Sequence, residues 1–285
     1  MFVPALRVRL DLGRAPGPAQ WFRAAGARVS VDLFIGISVS LLGLVMGSGM
    51  TALAWRVPRG ESWVHGRSRC PKCAHVLGVP DLFPVFSWLF HRGRCRHCGA
   101  PVSARYPLTE LLCGAWAFLA WQKIGLVPSY PLVAIWGFLL VALLWIDLDF
   151  QLLPDALTFP GTLIGIGAAL LGPGARHALF GMLAGAGLLW LVAELYFRIR
   201  KIEGLGGGDV KLAAMFGSVL GGPLALVTIF LAAFGGTAWA AVLLARGKAD
   251  ARTPLPFGSL LAPAAMITFL WGDLAYSWYT SMVLR

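Results

Sequence analysis

Val133-Ala134-Ile135-Trp136-Gly137-Phe138-Leu139-Leu140-Val141-Ala142-Leu143-Leu144-Trp145-Ile146 runs fourteen residues without a charge, then breaks into Asp147-Leu148-Asp149-Phe150-Gln151-Leu152-Leu153-Pro154-Asp155. A second acid, Asp209, stands in Gly206-Gly207-Gly208-Asp209-Val210-Lys211, directly before another apolar stretch. An aspartate at the centre of a membrane helix costs about 2.5–3.5 kcal/mol on insertion scales, so a carboxylate beside hydrocarbon needs a water-filled cleft, a partner or an interfacial position. Two such carboxylates facing each other can divide acid and base roles.

The rest of the chain fits the same environment. Of 285 residues, 58% are hydrophobic and 13% charged, and the mean hydropathy is +0.74. That balance belongs in lipid rather than in a water-soluble core. Apolar segments near the length needed to cross about 30 Å of hydrocarbon lie at 33–55, 107–127, 131–147, 154–172, 178–197, 223–245 and 256–280, with a shorter one at 209–222. The expected fold is an all-α polytopic membrane protein of about eight transmembrane helices. The sixth segment is short, since about 14 residues rise only about 21 Å. No internal repeat or low-complexity tract is evident.

Charge orients the segments, because cytoplasmic loops hold the excess of Lys and Arg. The loop at 56–106 carries Arg56, Arg59, Arg67, Arg69, Lys72, Arg92, Arg94, Arg96 and Arg105, and is expected in the cytoplasm. Eight crossings then put Arg198, Arg200, Lys201, Lys211, Arg246, Lys248 and Arg252 inside and Lys123, Arg176 and Arg285 outside. If the short segment did not cross, the loop at 246–252 would flip outward against the rule. Asp147 and Asp209 share the cytoplasmic side in this arrangement. The N-terminal 30 residues, with Arg7, Arg9, Arg14, Arg23 and Arg28 against Asp11, resist the scheme. They read as a basic tail with three open origins: a disordered extension, a misassigned start or an amphipathic surface segment. They do not have the form of a cleavable signal, because the apolar run starts only near residue 33. The net charge of +11 follows mostly from loop orientation and from anionic lipid headgroups, and no nucleic-acid partner is expected. Domain boundaries follow: tail 1–30, first membrane helix 31–56, cytoplasmic loop 57–106, and a helical membrane domain 107–285.

That loop holds Cys70-Pro71-Lys72-Cys73 and Cys95-Arg96-His97-Cys98, two C-x2-C knuckles separated by 21 residues. The spacing is close to that of four-cysteine zinc ribbons. Disulfides or redox thiols are the rival readings. A cytoplasmic setting disfavours the first, and no thioredoxin-like βαβ pattern surrounds either pair. Four thiolates leave no open coordination position, so a zinc held by Cys70, Cys73, Cys95 and Cys98 would be structural, stabilising a loop too small for a good core. His65, His75, His91 and His97 read as surface residues, and Cys113 as an inert packing residue.

With these constellations together, the chain resembles the type IV prepilin peptidases, bifunctional leader peptidase/N-methyltransferases of bacterial inner membranes. The resemblance covers most of residues 43–267. It includes Gly47-Ser48-Gly49-Met50, Arg56-Val57-Pro58-Arg59-Gly60-Glu61-Ser62, both knuckles, Phe86-Ser87-Trp88-Leu89, Gly93-Arg94-Cys95 and Arg105-Tyr106-Pro107-Leu108-Thr109-Glu110. The Asp147 segment, the Gly-x-Gly-Asp motif and Pro256-Phe257-Gly258 complete it. Departures are Asp81, where many relatives have Asn, and Gly49-Met50 in place of the more usual Phe-Leu.

The resemblance implies that the catalytic acid of the first segment lies seven residues before Pro154, which is Asp147 and not Asp149, and that the second is Asp209. It implies cleavage of type IV prepilins or pseudopilins after the Gly that ends a basic leader, then methylation of the new α-amine from S-adenosylmethionine. No Rossmann-type glycine fingerprint follows a strand, so pattern reasoning assigns the methyl donor no residues. The chemistry of the acids also stands on its own. Two close carboxylates cannot both ionise cheaply, so one keeps a proton while the other activates water, and the titration belongs to the pair. Gly206 and Gly208 fit a backbone that approaches substrate closely or takes positive φ. Asp209 also fits a helix cap, Asp149 and Asp155 fit solvated loop acids, and Glu61 and Glu110 fit loop stabilisation or interfacial capping.

Two other classes remain open on sequence. A proton-coupled transporter also uses membrane carboxylates and Gly-broken helices, though paired inverted repeats are lacking. A non-enzymatic assembly factor would use the zinc ribbon for docking and the aspartates as caps. The small residues Gly181 and Ala184-Gly185-Ala186-Gly187 favour close helix packing, within one chain or between copies.

Overall fold

A computed structural model describes residues 18–63, 66–202, 204–247 and 256–283. Of the expectations above, those for residues 1–17, His65, Lys248, Arg252 and Arg285 lie outside the described residues. The chain divides between Ser38 and Val39. The first part contributes the N-terminal stretch of a helix, and both candidate sites lie in the second.

Among the described residues the regular structure is helical: α1 (Pro18–Arg56), α2 (Phe86–Phe90), α3 (Arg105–Ile124), α4 (Tyr130–Phe150), α5 (Asp155–Leu170), α6 (Ala175–Arg200), α7 (Gly207–Leu220), α8 (Gly222–Ala245) and α9 (Gly258–Val283). Eight of these, all but α2, fall on the eight apolar segments read from the sequence. Five carry windows long and apolar enough to cross a membrane: residues 30–59, α4, α6, α8 and α9. α1 begins at Pro18, well before the apolar start at 33. Proline suits that position, since its missing N–H is one the first helical turn leaves unpaired anyway.

α4 is the most enclosed of the long apolar helices, with Trp136, Leu140, Leu143 and Ile146 fully buried. Around it pack α3, α5 and α9, while α7 packs against α5, α6, α8 and α9. α7 is the short sixth segment, and glycines on its neighbours explain how 14 residues are held at the centre. Without hydrophobic drive between helices in lipid, close backbone approach through small residues supplies the attraction. A side chain at Gly181 of α6 would collide with the carbonyl of Gly217 of α7, and one at Gly185 would lie 2.9 Å from the carbonyl oxygen of Ala213. On the opposite flank Gly161 and Gly165 of α5 leave room for Met215 and Ser218. The cluster at 181–187 thus packs within the chain at Gly181 and Gly185. Trp136 of α4 donates its indole N–H to the Met215 carbonyl at 3.2 Å, fixing the helix from a third side.

α7 ends at Gly221, φ +76°, where any side chain would strike the His177 ring near the start of α6. His177 Nε2 also lies 3.1 Å from the Val219 carbonyl. The end of α7 therefore meets the beginning of α6, and the short helix runs the distance between two ends of the bundle. At its other end, Lys211 pairs with Asp155, which opens α5, at 2.6 Å. Arg105, which opens α3, pairs with Asp149 in the last turn of α4, with its nearest contact at 2.5 Å. These two ion pairs mark one polar end of the bundle.

Candidate functional site

Asp147 and Asp209 are brought to that polar end and buried, 5% and 9% exposed. Asp147 lies in the last turn of α4, whose end is fixed by Gln151 at φ 51°, donating its N–H to the Asp147 carbonyl at 2.9 Å. The side chain faces inward. Its Oδ2 accepts the backbone N–H of Ser259 at 2.6 Å, from the first turn of α9. Asp209 sits in the first turn of α7, and its carboxylate accepts the N–H of Gly206. The residue that caps α7 is Gly206 itself, so Asp209 is not the N-cap. It returns a hydrogen bond to the cap's backbone as the acid of a capping box does, with a free lone pair left over. The two acids are near enough for the Asp147 charge to act on Asp209.

The other two candidate acids of the segment are differently placed. Asp149 binds Arg105 Nη1 through both oxygens, at 2.5 and 2.7 Å, and Asp155 binds Lys211. Each is at least one-third exposed. The sequence separates Asp147 from Asp149 by one intervening residue, which on a helix turns the side chains about 200° apart; burial and a basic partner divide the two accordingly.

Of the two roles open to these glycines, positive φ is not the one taken. Gly206 has φ −71°, and neither Gly207 nor Gly208 takes positive φ. What Gly208 provides is room: a β-carbon there would lie 2.9 Å from Cβ of Leu153. Gly258 plays the same part from α9, where a β-carbon would lie 2.9 Å from Leu153 Cδ1 and 3.0 Å from Asp147 Cγ. Buried Leu153 is therefore a wedge between the first turns of α7 and α9, and it holds both against the end of α4. Ser259 and Gly258 are site residues to which sequence reasoning gave no role. The Pro256-Phe257-Gly258 motif was the signal, but nothing in it says that the next N–H meets Asp147.

The four cysteines of the loop come together as a second site. Their sulfurs all lie within 4.8 Å of one another, and Cys70 Sγ is 3.8 Å from Cys98 Sγ. Four sulfurs about 2.3 Å from a common centre would stand about 3.8 Å apart, so the group fits a tetrahedral ion. The two knuckles repeat one backbone design. Cys70 N–H donates to the His75 carbonyl and Ala74 N–H to the Cys70 carbonyl, both at 2.9 Å; Cys95 to Ala100, at 2.8 Å, and Gly99 to Cys95, at 2.9 Å, do the same. The fifth residue of each takes positive φ, Ala74 at 56° and Gly99 at 68°. Hydrogen bonding from the backbone N–H groups of Cys73 and Lys72 lowers the pKa of the Cys70 thiol, while burial and the neighbouring sulfurs raise that of the Cys73 thiol, so the four sulfurs titrate as one group. His75 and His97 are exposed as expected, their ring centroids 3.4 Å apart with the planes tilted by 34°, while His91 is half-buried. Cys113 is fully buried within α3. Asp81, the departure noted above, accepts Gly78 N–H at 3.0 Å and pairs with Arg96 at 3.4 Å. It ties the segment after the first knuckle to the second.

A bundle with membrane-length helices, a buried pair of acids at one end and a four-thiol site in the adjoining loop defines a polytopic membrane protein with two candidate sites. Residues 41–124 match the bacterial peptidase A24 N-terminal domain and residues 132–241 the type IV leader peptidase family. Relatives named prepilin leader peptidase/N-methyltransferase include one from Myxococcus xanthus, 40% identical over 86% of this chain and 72% of its own length. Another, from Burkholderia pseudomallei strain K96243, is 40% identical over 92% of both. A third, from Pseudomonas aeruginosa, is 35% identical over 82% of this chain and 89% of its own. No solved structure matches. The chain belongs to the type IV leader peptidase family.

Proposed function

We propose that the protein is an aspartyl endopeptidase that removes the basic leader of type IV prepilins or pseudopilins, with Asp147 and Asp209 as its catalytic pair. The observation that carries the reading is the contrast among four neighbouring acids. Asp149 and Asp155 are exposed and ion-paired, whereas Asp147 and Asp209 are buried and interact with each other. Two carboxyl groups in that relation share a proton. The ionised member takes a proton from water as it attacks the scissile carbonyl, and the protonated member donates to the carbonyl oxygen as it becomes tetrahedral. The Ser259 N–H holds Oδ2 of Asp147 and the Gly206 N–H holds the Asp209 carboxylate, which fixes both acids for the reaction. A pair at the end of the bundle suits a substrate whose hydrophobic helix lies in lipid while its leader stays in water.

The family and the basic loop support a place in the bacterial inner membrane with the acids and the four-cysteine loop on the cytoplasmic side. The cysteines would hold a structural zinc that folds residues 57–106, and the cleavage would belong to the helices at 107–285. The names of the relatives support a second activity, methylation of the new N-terminus from S-adenosylmethionine. The test is an intact-mass assay of a purified prepilin with the detergent-solubilised protein, plus and minus S-adenosylmethionine. Asp147→Asn and Asp209→Asn should each lower cleavage about 10³-fold or more, within the range a positioned acid or base contributes, while Asp149→Asn leaves it. Normal cleavage by either of the first two variants rejects the pair.

A further inference from the structure

Between the two cysteine knuckles, residues 79–90 read Val-Pro-Asp-Leu-Phe-Pro-Val-Phe-Ser-Trp-Leu-Phe. Val79, Leu82, Phe83, Phe86, Leu89 and Phe90 are 41–88% exposed, Phe90 most of all. A contiguous apolar surface of this kind marks a contact with lipid or with another chain.

Its attachment beside the membrane helices and the cations that follow it favour lipid. Val85 donates its N–H to Oε2 of Glu110 at 2.7 Å, and Glu110 is buried in α3, five residues beyond Arg105. Five residues of helix rise about 7.5 Å. The apolar segment is thus tied to the first turns of α3, the helix that Arg105 opens at the polar end of the bundle. The tie is enforced: Val85, a β-branched residue, is held at φ 61°, a region such residues rarely enter. Trp88 turns the other way, donating its indole N–H to the Val102 carbonyl at 3.0 Å, with its ring packed over Gly93, where a β-carbon would lie 2.8 Å away. Val85 and Trp88 therefore fasten the segment inward while Phe86, Leu89 and Phe90 point out. Arg92 and Arg94, both exposed, follow immediately.

We propose that residues 79–90 are an interfacial anchor. Phe83, Phe86, Leu89 and Phe90 enter the lipid leaflet on the side of the four-cysteine loop, and Arg92 and Arg94 lie at its anionic headgroups. An apolar face with adjacent cations is the pattern by which segments lie in the boundary between headgroups and acyl chains without spanning. The anchor holds the cysteine loop against the bilayer rather than leaving it tethered only by α1 and α3. It is independent of the proteolytic reading.

The test uses the full chain in vesicles of phosphatidylcholine and phosphatidylglycerol, with p-benzoyl-phenylalanine replacing Phe86, Phe90 or, as the reference, exposed Lys72 of the first knuckle. Illumination followed by intact-mass measurement should give phospholipid adducts at 86 and 90 several-fold above those at 72. Arg92→Gln with Arg94→Gln should reduce adduct formation on phosphatidylglycerol relative to phosphatidylcholine. Adducts at 86 and 90 no greater than at 72, or crosslinks to a second copy of the chain or to an added prepilin in place of lipid, overturn the proposal.

Discussion

The backbone N–H of Ser259 meets Oδ2 of Asp147 at 2.6 Å, joining the start of α9 to the end of α4 across 112 positions of sequence. The approach depends on Gly258, where a β-carbon would stand 3.0 Å from the Asp147 carboxyl carbon. Contacts that tight force the neighbour to shift, and here the neighbour is the proposed catalytic group. Gly258→Ala should therefore lower leader cleavage up to about 10-fold, less than the about 10²-fold of a 1 Å misplacement because the carboxyl need shift only by a few tenths of an ångström, while the protein still inserts and extracts as wild type. Cleavage rates by intact mass check it, and an unchanged rate would remove α9 from the positioning of Asp147.

Because the proposed chemistry needs one carboxyl protonated and one ionised, cleavage should follow a bell-shaped pH profile. Acid fills both groups and removes the base; alkali empties both and removes the acid. The two limbs are macroscopic properties of the pair. Asp149→Asn should leave both limbs where they are, since Asp149 is paired with Arg105 outside the buried site. A profile of kcat/KM against pH for the two proteins checks this, and a limb that moves in Asp149→Asn would bring that residue into the reaction.

The packing of α7 yields a stability prediction. Gly181 and Gly217 lie backbone against backbone, each without space for a β-carbon. Gly181→Leu should separate α6 from α7 and cost more than the about 1–3 kcal/mol typical of overpacking, because backbone rather than a side chain must move. Gly187, with open space around it, should accept alanine with little change. Folded yield and thermal melting in detergent distinguish the pair.

How much of this was legible depended on the range of the interaction. Hydropathy located eight helices, five of them long and apolar enough to cross a membrane, where each must satisfy its own backbone polar groups, and it placed α7 although that helix is short. Burial could not be read so directly. Asp147 and Asp149 look alike in sequence, and the resemblance to a family, rather than any spacing rule, singled out Asp147. The Ser259 hydrogen bond, the Leu153 wedge between Gly208 and Gly258, and the Val85–Glu110 link all join distant segments through one backbone group, which leaves no periodic trace. The glycines before Asp209 suggested a close backbone approach or positive φ; none takes positive φ, and Gly208 leaves room for Leu153. The early start of α1 at Pro18 was hidden because basic residues there interrupt the apolar pattern that reveals the rest.

The four cysteines give the last prediction. Their sulfurs are grouped to fit one tetrahedral ion, and a site closed by four thiolates contributes folding free energy rather than chemistry. Purified protein should contain about one zinc per chain, the stoichiometry of a single four-thiolate site. Cys70→Ser or Cys95→Ser should lose it. Both changes strike equivalent first positions in the two knuckles, so their effects should match: in each, residues 57–106 become open to limited proteolysis while α4 and α7 remain protected. Elemental analysis with proteolytic mapping checks the prediction. Full zinc content in either variant would mean that the ion is held elsewhere, and digestion reaching α4 would mean that the helices depend on the loop for their fold.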